Sequence, residues 1–181
     1  DGYKKITINV ASDYRHLPNR IVYFPDTVGK SMNCYLSLEN GATFSYSTGA
    51  EHSEDIDLGI YRVNQYDGNG DLTGYKWYVY SLAADPSPFT PYDISSWTKR
   101  ATLFASPQGN ANEFRDKLTT GSYIETEAGK KTIDKKSIEI SINKYAYFRT
   151  PEGKYGALMI NAITDDYLER PFINMGIKIL P

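Results

Sequence analysis

The sequence predicts a β-dominated chain, most simply an antiparallel two-sheet sandwich with at most one or two short helices. An α+β layer with helices covering one face is the alternative. Three observations carry the prediction. Apolar residues recur at every second position in segment after segment, the period of a strand with one buried face. The composition, 16 Tyr beside 14 Gly and 9 Pro, suits many strands joined by turns. Helical spacing is scarce.

The elements follow in order. Ile6, Ile8 and Val10 alternate with Lys5, Thr7 and Asn9 as a first strand. Met32, Cys34, Leu36 and Leu38 share one phase and predict a strand with the Cys34 sulfur on its core face. Ile56, Leu58 and Ile60 alternate with Asp55, Asp57 and Tyr61, which places both aspartates on a polar, solvated face. The stretch Gln65 to Tyr80 reads QYDGNGDLTGYKWYVY, and Asp-Gly between two strand-like runs is a strong hairpin signal. Ala84 to Trp97, with Pro86, Pro88 and Pro91, cannot be a central strand and reads as a long ordered loop.

Asn112 to Leu118 is the one helical candidate, capped by Asn110 or Asn112, with Phe114 and Leu118 four apart on one face. Ile138, Ile140 and Ile142 form another strand. Tyr145 to Thr150 and Tyr155 to Ile163 form a hairpin through Pro151-Glu152-Gly153, where proline presets the turn and glycine accepts a positive φ. Ile173, Met175, Ile177 and Ile179 close the chain as a last strand. The 181 residues and their 40% hydrophobic content suit one core, and residues 1–181 are read as one β-rich domain.

Charge and targeting narrow the partners. With 20 basic and 22 acidic side chains, net -2, no global field favours nucleic acid. No apolar run approaches the roughly 18 residues of a membrane span. The chain starts at Asp1 without a leader, so the expectation is a removed targeting segment, with room for a removed lipid anchor, or a trimmed chain.

The chemical candidates are few. Counting an EF-hand from Asp67 puts Leu72 at the glycine position and Tyr78 at the bidentate glutamate position, so no metal site and no cofactor is expected. Cys34, the single cysteine, excludes an internal disulfide. Paired with His52 it would make a nucleophilic dyad, but a core-facing thiol is inert. His16, in RHLPN, reads as a surface histidine in a turn. Asp55 and Asp57, about 6.6 Å apart along a strand, have the spacing of a glycosidase carboxylate pair. The same two acids are also what a solvated strand face carries. On the aromatic strand Tyr75 and Trp77 oppose Tyr78 and Tyr80, so one pair is expected in the core and the other exposed. Exposed rings stack on sugars or anchor proteins. Together with Phe89, Tyr92 and Trp97 of the proline-rich loop they form the candidate ligand-binding set.

Four pieces, NGATFSYS at Asn40 to Ser47, SEDIDLGIYR at Ser53 to Arg62, TLFASPQG at Thr102 to Gly109 and YFRTPEGKYGALMINAI at Tyr147 to Ile163, resemble uncharacterised secreted or lipid-anchored β-rich proteins of Gram-negative gut anaerobes. The resemblance spans Asn40 to Ile163 and implies an exported protein at the outer-membrane surface or in the periplasm. It defines no catalytic residues. The leading expectation is a non-catalytic cell-envelope protein that binds a glycan or an envelope protein through exposed aromatics. A glycan hydrolase using Asp55 and Asp57 is one alternative. A structural or adhesive subunit that adds a strand at an open sheet edge is the other.

Overall fold

The computed structural model describes Tyr3 and residues 13–181; the expected strand at Ile6, Ile8 and Val10 lies outside the described residues. The alternating segments become strands β1 (Arg15–Tyr23), β2 (Asn33–Leu36), β3 (Thr43–Ser45), β4 (Leu58–Tyr66), β5 (Leu72–Ser81), β6 (Leu103–Phe104), β7 (Ser137–Ile140), β8 (Tyr145–Arg149), β9 (Tyr155–Asp165) and β10 (Pro171–Ile179). The helices are short: α1 (Tyr46–Gly49), which runs into a 3-10 turn, α2 (Ala111–Asp116) and α3 (Gly121–Gly129). All strand pairs are antiparallel. They form two five-stranded sheets, β1-β10-β9-β8-β6 and β3-β2-β4-β5-β7.

The main core lies between the sheets. Ile173, Met175, Ile177 and Ile179 of β10 and Leu158 and Ile160 of β9 meet Leu58, Ile60, Trp77, Val79, Ile138 and Ile140 of the second sheet. Each such aliphatic side chain, fully buried, contributes about 1.5–3 kcal/mol. The outer faces are covered too, which explains why β9 reads as a continuous apolar run. Ala157 and Met159, on the opposite face of β9, pack under Phe114 and Leu118 of the α2 segment and Ile124 and Ala128 of α3. On the outer face of the second sheet, Tyr35, Ile56 and Tyr80 pack under Tyr92, Ile94 and Trp97.

Helix α2 is capped as expected by Asn110, whose side chain accepts from the Glu113 amide. Helix α3 is an addition: Thr120 caps it by accepting from the Tyr123 amide, and Gly121, Ile124 and Ala128 form its buried stripe. The other departures are local. β7 ends at Ile140, and Ile142 is exposed. His16 lies within β1, not in a turn; Pro18 and Asn19 form a bulge where the register with β10 shifts, and Asn19 takes φ +56°.

Both expected hairpins are present. β4 and β5 pair from Leu58↔Ser81 to Tyr66↔Leu72. At their tip Asp67 Oδ1 accepts the amides of Asn69 and Asp71 at 2.8 and 2.9 Å, and Gly70 adopts φ +88°. β8 and β9 turn through Pro151 to Gly153, with the Gly153 amide on the Thr150 carbonyl at 2.9 Å.

Candidate functional site

Most of the sequence-predicted ring set is inside the protein. Trp77 is in the main core. Tyr80, Tyr92 and Trp97 are in the outer aromatic cluster and are 2%, 3% and 8% exposed. The expectation of a ligand-binding set of exposed rings is therefore corrected for Trp77, Tyr80, Tyr92 and Trp97, all of which are buried. The Ala84 to Trp97 segment is an ordered loop, but it folds flat over the sheet and uses its rings to cover it. Tyr46 stacks between Tyr92 at 4.3 Å and Trp97 at 5.5 Å, and Phe89 meets Tyr92 edge-on. Gly49 makes room for the indole; a Cβ there would stand 2.3 Å from Trp97 Cη2. The two strand pairs also do not divide simply into core and surface. Trp77 is buried while its face-mate Tyr75 is 39% exposed, and Tyr78, half-buried, stacks on Tyr61 at 4.8 Å. Tyr75 faces solvent but holds Arg62 over its ring at 3.8 Å.

Cys34 is buried as expected, but it sits in the outer aromatic cluster and not with Leu36 and Leu38. Burial pushes its thiol up to about 12, so it is not a nucleophile at neutral pH. His52 is exposed and packs on Phe44.

The acidic pair is also corrected. Asp57 precedes β4 and is 0% exposed. Its Oδ2 accepts the Leu38 amide at 2.8 Å; Oδ1 accepts Arg100 Nε at 2.9 Å and Thr102 Oγ1 at 2.8 Å. Arg100 in turn holds Glu152 with two bonds of 2.7 Å, and these hold the Glu152 carboxyl down at about 2. Asp57 is thus committed to the fold, while Asp55 lies exposed on the preceding loop. The network joins the Ser53 to Arg62, Thr102 to Gly109 and Tyr147 to Ile163 segments through Asp57, Thr102 and Glu152. Asn40, Asp55, Glu152 and Lys154 line one polar cleft of about 230 Å³, and Thr102 stands behind Asp57.

A larger cleft, about 460 Å³, opens on the outer face of the first sheet. Strand β1 supplies His16, with Tyr14 just before it; β9 supplies Asn161; α2 supplies Phe114 and Arg115 as the wall. Three features of the sheet build it. Gly176 of β10 leaves the floor open: a Cβ there would meet Asn161 and Phe114 only at 3.5–3.6 Å. Asn161 is the extra residue at the β9–β10 register shift, which turns its amide outward to donate to Asn174 Oδ1 at 2.9 Å. Lys178 pairs with His16 across β1 and β10, so both side chains share this face.

Lys178 is 3% exposed. Its ammonium donates to the Phe114 and Leu118 carbonyls at 2.7 Å each, satisfying carbonyls at the C-terminal end of the α2 segment. Burial lowers its pKa. Desolvation, and then the Lys178 charge opposite, lower that of His16, which favours a neutral imidazole able to donate and accept. Arg115, at the rim, is paired with Asp116 at 2.7 Å.

Sequence reasoning missed this cleft. His16 is exposed, as expected of a surface histidine, but nothing local tied it to a site; Tyr14 belongs to no motif, and Asn161 lies in the Tyr147 to Ile163 piece with no role assigned to it. One signal was available: Asn161 interrupts the apolar run ALMINAI, where a polar residue in a doubly covered strand calls for an explanation.

Among the described residues, no helix is long and apolar enough to cross a membrane, and no three His, Cys, Asp or Glu side chains are grouped to hold a metal ion. Compared with family models, curated proteins and solved structures, the chain matches none of them.

Proposed function

We propose that the protein is a non-catalytic binding protein whose ligand is a glycan held in the cleft between α2 and strands β1, β9 and β10. The observation that carries this is the lining. Aromatic rings (Tyr14, Phe114), an imidazole and an amide converge on a cleft of about 460 Å³, which falls within the usual range of small-ligand sites. The half-buried Tyr14 ring offers apolar surface to a sugar, with Phe114, itself packed in the core, as the wall behind it, and the amide and imidazole each offer donors and acceptors to its hydroxyls. Strands fix most of these groups, so little ordering entropy is lost on binding. Placing the ligand here moves the site away from the Ala84 to Trp97 loop, whose rings are occupied in packing.

The hydrolase alternative has less support. Asp57 has no free role in proton transfer, and Glu152 is held far below the range of a general acid. One observation favours the strand-adding alternative. Strand β2 pairs only with Leu58 and Gly59 of β4, so the stretch Ile60 to Tyr66 has β5 on one side and no paired strand on the other among the described residues. An envelope location belongs to the same proposal, and fractionation of the native host tests it.

The direct test is a glycan array run beside chromogenic glycosides. The expected result is binding without turnover, weakened at least about tenfold by Asn161→Ala and by Gly176→Val, which fills the floor. Turnover abolished by Asp57→Asn or Asp55→Asn, or glycan binding indifferent to both cleft variants, would overturn the proposal.

A further inference from the structure

The cleft under α2 holds a positive charge that a neutral sugar would leave unused. Lys178 lines it and is 3% exposed, yet it forms no ion pair among the described residues. Its ammonium donates to the Phe114 and Leu118 carbonyls and lies 4.7 Å from the centre of the Phe114 ring. Carbonyl oxygens and a ring face both favour the charged form. They hold the cation in place but cancel none of its formal charge. A buried charge is ordinarily matched by an opposite one, because its removal from water is costly.

The rest of the lining does not supply the missing anion. Arg115, the other formally charged residue of the cleft, is also a cation. Asp116, next to it in sequence, accepts Arg115 Nε and Nη2 at 2.7 and 2.8 Å, whereas Nη1 makes no hydrogen bond among the described residues. Lys178 and Arg115 against Asp116 leave an excess of one positive charge, in a chain whose formal charge is -2. The sign of the cleft is thus opposite to that of the whole. Phe114 and Met159 line the same space, and apolar walls lower the local dielectric, so that a charge is felt across several ångströms without contact.

We infer that the glycan of this cleft is acidic: its sugar carries an anionic group, seated beside Arg115 and His16 with the buried Lys178 charge behind it. This rests on the glycan reading and narrows it from sugars in general to negatively charged ones. Arg115 Nη1 and the His16 ring supply the direct hydrogen bonds, those from the guanidinium being charge-assisted and of the stronger class. Lys178 acts through space, as its burial requires. A carboxylate and a sulfate share this chemistry and are the two sources of the anion.

The test is an NMR titration of the isotope-labelled protein with one galactose trimer in three forms: unmodified, oxidised to the uronic acid, and sulfated. At low salt the tighter of the two acids should bind at least about tenfold more strongly than the neutral trimer, the size of one hydrogen bond to a charged group, with shifts at His16, Phe114 and Asn161. Which acid is tighter identifies the source of the anion. Salt at about 1 M, where the Debye length falls to about 3 Å, should weaken the acids and spare the neutral trimer. Arg115→Gln, at a side chain 70% exposed and so tolerated by the fold, should cut the acid preference about threefold. Lys178→Met, which keeps the length of the chain, should remove most of the remainder. Should that variant fail to fold, Arg115→Gln and the salt series still decide. Equal binding of all three forms would overturn the inference, as would an acid preference indifferent to both salt and Arg115→Gln, or no binding by any form. The glycan reading is judged separately, from the array, and stands if neutral glycans bind there.

Discussion

Replacing Asp57 by alanine is the most informative single perturbation of the fold. The carboxylate is 0% exposed and accepts three hydrogen bonds, from the Leu38 amide, Arg100 and Thr102. Hydrogen bonds to a charged group are worth about 1.5–3 kcal/mol each. Three would give several kcal/mol, but burying the carboxylate costs several in return. What alanine exposes is the difference between an intact network and a broken one, in which an amide, a hydroxyl and a guanidinium lose their acceptor. For one partner of a buried pair that cost is about 3–5 kcal/mol. Arg100 keeps Glu152 and its side chain is 18% exposed, so the lower end, about 3 kcal/mol, applies. For a chain of this length that is a fall in Tm of about 6–12 °C. Urea unfolding followed by tyrosine and tryptophan fluorescence measures it. An Asp57→Ala, Arg100→Met cycle should show coupling above about 1 kcal/mol. A loss below about 1 kcal/mol for Asp57→Ala would refute the view that this aspartate is committed to the fold, and would reopen its role in chemistry.

Three further outcomes follow from the same structure. Trp97→Ala should cost about 3–5 kcal/mol, because it empties the aromatic lid over the second sheet, and should leave glycan affinity unchanged; equal stability, or lost binding with stability intact, would mean that the loop rings serve a ligand. Cys34, with its thiol pushed up to about 12 by burial, should resist thiol reagents at pH 8 in the native state and react once urea unfolds the chain; fast native labelling contradicts the packing. Glu152, held at about 2 chiefly by hydrogen bonds from Arg100 against an ordinary value of 4.5, has a folded pKa below its unfolded one, so its stabilising contribution is present above pH 4.5 and is lost as pH falls toward 2. Its side chain is 47% exposed, so the effect is modest, and Glu152→Gln should flatten that part of the acid limb.

The strands were legible because the sandwich enforces period two wherever one face meets the other sheet. Ile173 to Ile179 of β10 and Leu58 and Ile60 of β4 show it directly, whereas Ile56 precedes β4 and packs in the outer cluster. What the pattern could not say is what lies on the outer faces. Tyr80 and Trp77 occupy opposite sides of β5, and alternation alone assigns one of them to solvent. The Ala84 to Trp97 loop removes that option by covering Tyr80 with Tyr92 and Trp97, a contact set by tertiary packing and by no local signal. Helix α3 escaped because Gly121, Ser122 and Thr126 are weak helix formers, while its stability comes from Ile124 and Ala128 packed on β9. Asp57 was misplaced because its partners, Thr102 and Arg100, lie more than forty residues away in sequence. The cleft itself rests on a bulge at Asn161 and a missing side chain at Gly176, two features that only strand pairing reveals.

The central claim, that a glycan sits between α2 and strands β1, β9 and β10, is tested most directly by mapping a bound glycan. The tightest ligand from the array is titrated into isotope-labelled protein and amide shifts are followed by NMR. Shifts concentrated at Tyr14, His16, Phe114, Asn161 and Gly176, with the Ala84 to Trp97 loop unmoved, are the predicted result. Shifts centred on Phe89, Tyr92 and Trp97, or on the β4–β5 hairpin, with this cleft silent, would contradict it.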